Sequence, residues 1–98
     1  MGLKIRFDAR ALGDLSEIRD YLTGRSPTGA ERVRLHLMET IGRLSDFPYL
    51  GRATDEPGVR VMPLTRYPYL VFYGVVGNEV VILHIRHGAR EPLDPSTL

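Results

Sequence analysis

The apolar residues change their spacing along the chain, and each spacing predicts an element. Leu3, Ile5 and Phe7 alternate with Lys4 and Arg6, the two-residue repeat of a half-buried strand. From Asp8 the repeat lengthens. Ala11, Leu15, Ile18 and Leu22 are spaced by four, three and four, which sets them on one face of a helix. Asp8 is placed to cap that helix, and Phe7 and Leu12 occupy the positions of a hydrophobic staple. Gly13 weakens its first turn by about 1 kcal/mol relative to alanine, and Gly24 is expected to end it.

A second helix follows almost at once. Ser26 is its N-cap and Pro27 its first residue, where the missing N–H is not needed. Ala30, Val33, Leu37, Ile41 and Leu44 form its core stripe, Glu39 and Arg43 an i,i+4 pair, and Phe47-Pro48 its end. A connection as short as Gly24-Arg25-Ser26 makes the two helices antiparallel neighbours.

Beyond a loop from Pro48 to Pro57 the period returns to two. Val59 to Leu64 and Tyr69 to Val76 read as strands, the latter rich in aromatic and branched residues. Gly77-Asn78 is a two-residue hairpin turn, and Glu79 to Arg86 the strand it leads into. Val80-Val81-Ile82-Leu83 is apolar on both faces, so this strand is expected inside the sheet. The segment from Glu91 to Leu98, with two prolines, is expected to be a loose tail. The fold expected for residues 1–98 is a single α+β domain, β-α-α-β-β-β. An N-terminal helical hairpin covers one face of an antiparallel sheet, and the other face is exposed.

Composition narrows the functional classes. A chain of 98 residues, 43% hydrophobic and 26% charged, is one ordinary globular domain. It has no cysteine, so neither a disulfide nor a thiolate metal site is available. The N-terminus lacks the apolar core of a signal peptide and no apolar run reaches the length of a membrane span, so a soluble, cytoplasmic protein without a membrane partner is expected. The net charge of +1 argues against bulk electrostatic attachment to nucleic acid but leaves room for a local basic patch. Lys4 is the only lysine among thirteen basic residues. The rest are arginines, suited to bidentate contacts with carboxylate or phosphate and equally to ordinary surface solvation.

No metal site is expected. His84 and His87 are an odd number of residues apart on one strand and so point to opposite faces, and His36 stands on the flank of the second helix without an obvious partner. No glycine-rich run has phosphate-loop spacing and no serine sits in a nucleophile elbow. One basic and aromatic set remains on the last strands: Arg60, Arg66, Tyr67, Tyr69, Tyr73, Arg86, His87 and Arg90. Metal-free RNA cleavage needs a base, an acid and cations for the phosphate, and arginine with histidine or tyrosine supplies those types. Tyr69 and Tyr73 also fit half-buried strand positions, and His87 a structural hydrogen bond at a strand end.

The order of the motifs resembles the ParE-like toxins of the RelE/ParE superfamily. The resemblance is carried by Ala11, Asp14-Leu15, Ile18 and Tyr21-Leu22 in the first helix, and by Ser26-Pro27, Ala30 and Val33 in the second. It continues through Phe47-Pro48-Tyr49-Leu50-Gly51-Arg52, Gly58-Val59-Arg60, Tyr69 to Tyr73, and Ile82 to Arg90 with its His-Gly-x-Arg ending. It spans about Ile5 to Arg90. It implies the toxin of a type II toxin–antitoxin pair, without a cofactor and neutralised by a small ParD-like antitoxin through which the pair binds operator DNA. It also implies DNA gyrase as the target and no catalytic site. RelE-type relatives instead cut messenger RNA on the ribosome with clustered lysines and arginines.

This sequence departs from the ribonuclease pattern, since its one lysine lies on the first strand. Arg60 and Arg86, with His87 as proton carrier, are the residues such an activity would have to use. The gyrase reading is favoured, with Arg60, Arg66, Tyr67, Arg86, His87 and Arg90 as candidate target contacts. A toxin retained only as part of a repressor complex is a further alternative. One feature lies outside the resemblance. Leu35 stands nearly opposite the core stripe of the second helix with Met38 and Gly42 beside it, a candidate docking patch for an amphipathic antitoxin segment.

Overall fold

The computed structural model describes residues 2–88. The expected tail, and with it Arg90, lies outside the described residues. The elements in chain order are β1 (Lys4–Phe7), α1 (Ala9–Arg25), α2 (Pro27–Asp46), β2 (Arg52–Ala53), β3 (Arg60–Pro63), β4 (Tyr69–Val76) and β5 (Glu79–His87). They form one five-stranded sheet in the order β1-β5-β4-β3-β2. The strand with apolar residues on both faces, β5, lies inside it.

Capping follows the sequence with one exception. Asp8 caps α1, its side chain accepting the Arg10 amide. Ser26 serves both helices: its N–H donates to the Leu22 carbonyl at the end of α1, and its side chain accepts the Gly29 amide at the start of α2. Gly24 does not end α1, which runs on to Arg25. Ser26 supplies the termination expected of the glycine, so no left-handed residue is needed there.

The helical stripes and one face of the sheet make the core. Val33, Leu37, Ile41 and Leu44 of α2 and Ala11 of α1 pack with Tyr69, Val71, Tyr73, Val80, Ile82 and Ile85. Three features differ from the sequence expectation. First, β1 pairs with β5 in parallel, from Lys4↔Glu79 to Phe7↔Ile82, while all other pairs are antiparallel. No tight turn joins these two strands; the helical hairpin and the meander together act as one long crossover, which permits parallel pairing. Second, the two-residue β2 edges the sheet against β3, too short to show a period. Third, the opposite sheet face is not open: Val61, Phe72, Val81 and His84 are all buried. The loop before β3 approaches this face, and the Gly58 carbonyl stands 2.9 Å from where a Cβ on Gly74 would be.

A bulge resets the alternation within β5. Phe72 pairs with His84 but Tyr73 with Ile82, so Leu83 is the extra residue. This keeps Ile82 and Ile85, three apart, both in the core. The β4–β5 turn is made by Gly77, whose φ is 59°, and Asn78. A positive φ at the first position only is the pattern of a type II′ hairpin turn.

Candidate functional site

Three surfaces contain the residues with chemistry. The first is a groove of about 430 Å³ between the helices, lined by apolar side chains including Leu12, Leu15, Ile18, Leu22, Val33 and Met38, with Arg19, Glu31 and Arg34 among its polar residues. Leu15, Ile18 and Leu22 of the α1 stripe and Val33 of the α2 stripe line it, so the apolar faces of the two helices are only partly covered where they meet. Leu12 is 54% exposed there. Arg34 donates to Glu31 at 2.6 Å, and that bond holds the Glu31 carboxyl below its ordinary pKa. Met38 belongs to this groove; Leu35, also 54% exposed, does not line it. Gly42 is exposed, with nothing within 4 Å of where a Cβ would stand. The sequence patch of Leu35, Met38 and Gly42 is therefore real as exposed surface for two of its members, while the third belongs to a larger apolar feature. The exposure of Leu12 was the missing signal: a staple position left uncovered.

The second surface is at the far end of β4 and β5, where Asp14, Glu17, Tyr21, Tyr69, Arg86 and His87 line a cleft of about 140 Å³. His87 meets the Tyr69 ring edge-on at 5.1 Å. Asp14 does local structural work. Its Oδ2 accepts the Ile85 amide at 2.9 Å and lies 3.3 Å from His84 Nδ1. Ile85 lies beyond Ile82, where the β1–β5 pairing stops, so a helix carboxylate takes over as acceptor at the open edge of the strand. Nearby, Tyr67 packs against the core and meets His36 edge-on at 5.5 Å, and His36 Nε2 is 3.4 Å from the Thr65 hydroxyl. His36 thus has partners in the β3–β4 turn that sequence spacing did not reveal. Arg66 of the same turn is exposed.

The third surface surrounds residues 47–53. The buried Tyr73 hydroxyl accepts the Gly51 amide at 2.9 Å and donates to the Pro48 carbonyl at 2.8 Å. Arg60 Nη1 donates to the Gly51 carbonyl at 2.7 Å, and its guanidinium lies over the Tyr49 ring at 4.9 Å from the centroid. Gly51 is required at this crossing, since a Cβ there would stand 2.7 Å from the Val61 carbonyl and 2.8 Å from the Tyr73 ring.

Of the candidates Arg60, Arg86 and His87, the last two share the cleft and Arg60 lies apart from them. Arg60 pairs with Tyr73 and His87 with Tyr69, four residues apart on β4, or roughly 13 Å. Arg86 and His87, adjacent on one strand, both line the cleft beside Tyr69. Among the described residues no group of three histidine or acidic side chains is arranged to hold a metal ion, and no described helix is long and apolar enough to cross a membrane.

A helical hairpin over a mostly antiparallel sheet, with its first strand alongside the internal fifth, defines the RelE/ParE-like α+β class. Solved structures share it. The chromosomal ParDE toxin–antitoxin system of P. aeruginosa superposes with a TM-score of 0.76 at 28% identity, over 87% of this chain and 95% of that one. The RelBE2 toxin–antitoxin complex of Mycobacterium tuberculosis gives 0.62 at 23% identity, over 89% and 99%, a likeness of fold. Toxin RelE2 of Caulobacter vibrioides is 37% identical over 81 residues, 83% of this chain and 90% of that protein. The family described as the ParE toxin of type II toxin-antitoxin system, parDE, matches residues 5–92. The chain belongs to this ParE toxin family.

Proposed function

We propose that this toxin acts in the cytoplasm by binding DNA gyrase and is neutralised by a ParD-like antitoxin, through which the pair contacts operator DNA. The observation that carries the target reading is the separation of Arg60 from His87. General acid–base cleavage needs its proton carrier and cations around one scissile phosphate, whereas Arg60, paired with Tyr73 midway along β4, is committed to the Gly51 carbonyl. A protein that works by occupying a partner needs no such convergence.

The apolar groove between α1 and α2 supports the antitoxin reading. Its lining suits the apolar face of a partner helix; Arg34 is paired with Glu31 and Arg19 with Asp20, so the apolar side chains carry this reading. Leu12→Asp is expected to weaken antitoxin binding at least tenfold. Leu35→Asp tests whether the contact extends onto the outer face of α2.

The deciding experiment is a supercoiling and cleavage assay with purified gyrase, the toxin alone and the toxin with its antitoxin. Inhibition or accumulated cleaved DNA, relieved by the antitoxin, is the expected result. The likeness to Toxin RelE2 favours a second reading, ribosome-dependent cleavage of messenger RNA. Translation arrest with cut messages, and gyrase left untouched by folded protein, would replace the first reading with the second.

A further inference from the structure

The segment Phe47-Pro48-Tyr49-Leu50-Gly51-Arg52 has a backbone that the fold explains and side chains that it does not. Pro48 and Gly51 are held by the Tyr73 hydroxyl, and Gly51 again by Arg60. The Leu50 amide donates to the Phe47 carbonyl and closes the turn. Yet Phe47, Tyr49 and Leu50 are 62%, 65% and 48% exposed. Three large apolar side chains within four residues, on a loop clamped from inside, are a preformed contact surface. The ordering cost that binding usually carries has already been met in folding, and tyrosine and arginine are among the residue types that dominate interface energetics.

We propose that this loop is the surface through which the toxin engages its protein target, and that the target presents apolar groups beside carboxylates. The charge around the loop argues for that chemistry. Arg52 follows it directly, Arg60 lies against Tyr49, and Arg43 is one helical turn before Phe47; against these three cations stand Asp46 beside Phe47 and Glu56, which lines a hollow with Tyr49 and Arg60. The loop is also distinct from the helical groove. Met38, the last groove residue on α2, precedes Phe47 by nine helical steps, about 14 Å. The identity of the target as gyrase rests on the reading above; the location of the contact is new.

The test is the double variant Tyr49→Ala/Leu50→Ala, together with Arg52→Glu, in the full chain. Neither Tyr49 nor Leu50 supplies a side-chain hydrogen bond to the clamp, but Tyr49→Ala removes a ring contact with Arg60, so antitoxin affinity and the thermal midpoint serve as controls of folding. The expected result is at least about a 30-fold rise in the toxin concentration needed for half-inhibition of gyrase, with antitoxin affinity within threefold of wild type and an unchanged oligomeric state. Equal inhibition by wild type and variants would place the contact elsewhere and leave the gyrase reading standing. Loss of antitoxin binding with inhibition intact would assign the loop to the antitoxin, and a changed oligomeric state would assign it to a second copy; either overturns the proposal. Wild-type protein without effect on gyrase would remove the target reading and this surface's occupant together.

Discussion

The Tyr73 hydroxyl and the Gly51 amide, 2.9 Å apart, join the middle of the sheet to the loop that follows α2. The same oxygen donates to the Pro48 carbonyl, so one buried group satisfies two backbone positions of an otherwise irregular segment. Tyr73→Phe keeps the ring and strands both partners. A loss of about 1–3 kcal/mol is expected, measured by urea unfolding. Gly51→Ala should cost more, because its methyl has no room against Val61 and the Tyr73 ring.

Alkaline unfolding should report the same tyrosine. Burial pushes the Tyr73 phenol above its ordinary value, opposed by the Gly51 amide and the Arg60 charge. An unfolded tyrosine ionises near about pH 10. The native state keeps its proton to higher pH, so this contribution is complete below about pH 10. It is lost as pH rises from there through the folded pKa. Thermal midpoints should decline over that range, and decline less in Tyr73→Phe, which has no proton to lose.

Asp14→Ala removes the acceptor at the open edge of β5 and leaves the Ile85 amide without its partner. A cost of about 1–3 kcal/mol is expected. Hydrogen exchange locates the effect: the Ile85 amide should lose protection before the amides of β4 do. An Ile85 exchange rate unchanged in the variant would mean that another acceptor takes the place of the carboxylate.

Thr40 makes the opposite case. It is 1% exposed, and among the described residues its Oγ1 is the buried side-chain polar atom without a hydrogen-bond partner. Thr40→Val removes a desolvated hydroxyl and keeps the branched shape. Stability should hold or rise by about 1 kcal/mol, read from the denaturant midpoint at constant slope.

Much of the fold was legible in the sequence because it is written in local periods. The stripes of α1 and α2, the Ser26-Pro27 start and the β4–β5 hairpin each depend on residues within a few positions of one another. The internal place of β5 followed from its doubly apolar run. What could not be read depends on distant partners. The parallel pairing of β1, the Asp14 cap on β5 and the covering of Phe72 bring together groups far apart along the chain. The site was less legible for the same reason. Arg60 looked like a reactive cation because its sequence neighbours do not reveal the Gly51 carbonyl and the Tyr49 ring it meets. His36 looked unpartnered because Thr65 and Tyr67 are on another element. Leu12, matched to a staple by position alone, became informative only when its exposure beside the groove was known.

The position of β1 bears on how the molecule is made. Its hydrogen-bonding partner is the seventh and last described element, so while the chain emerges from the ribosome, residues 4–7 wait through the synthesis of both helices and the entire meander. The α1–α2 hairpin, whose contacts are local, is free to form early. The sheet closes only when β5 arrives to separate β4 from β1. The two helices are therefore synthesised in full before the sheet that they cover can be completed.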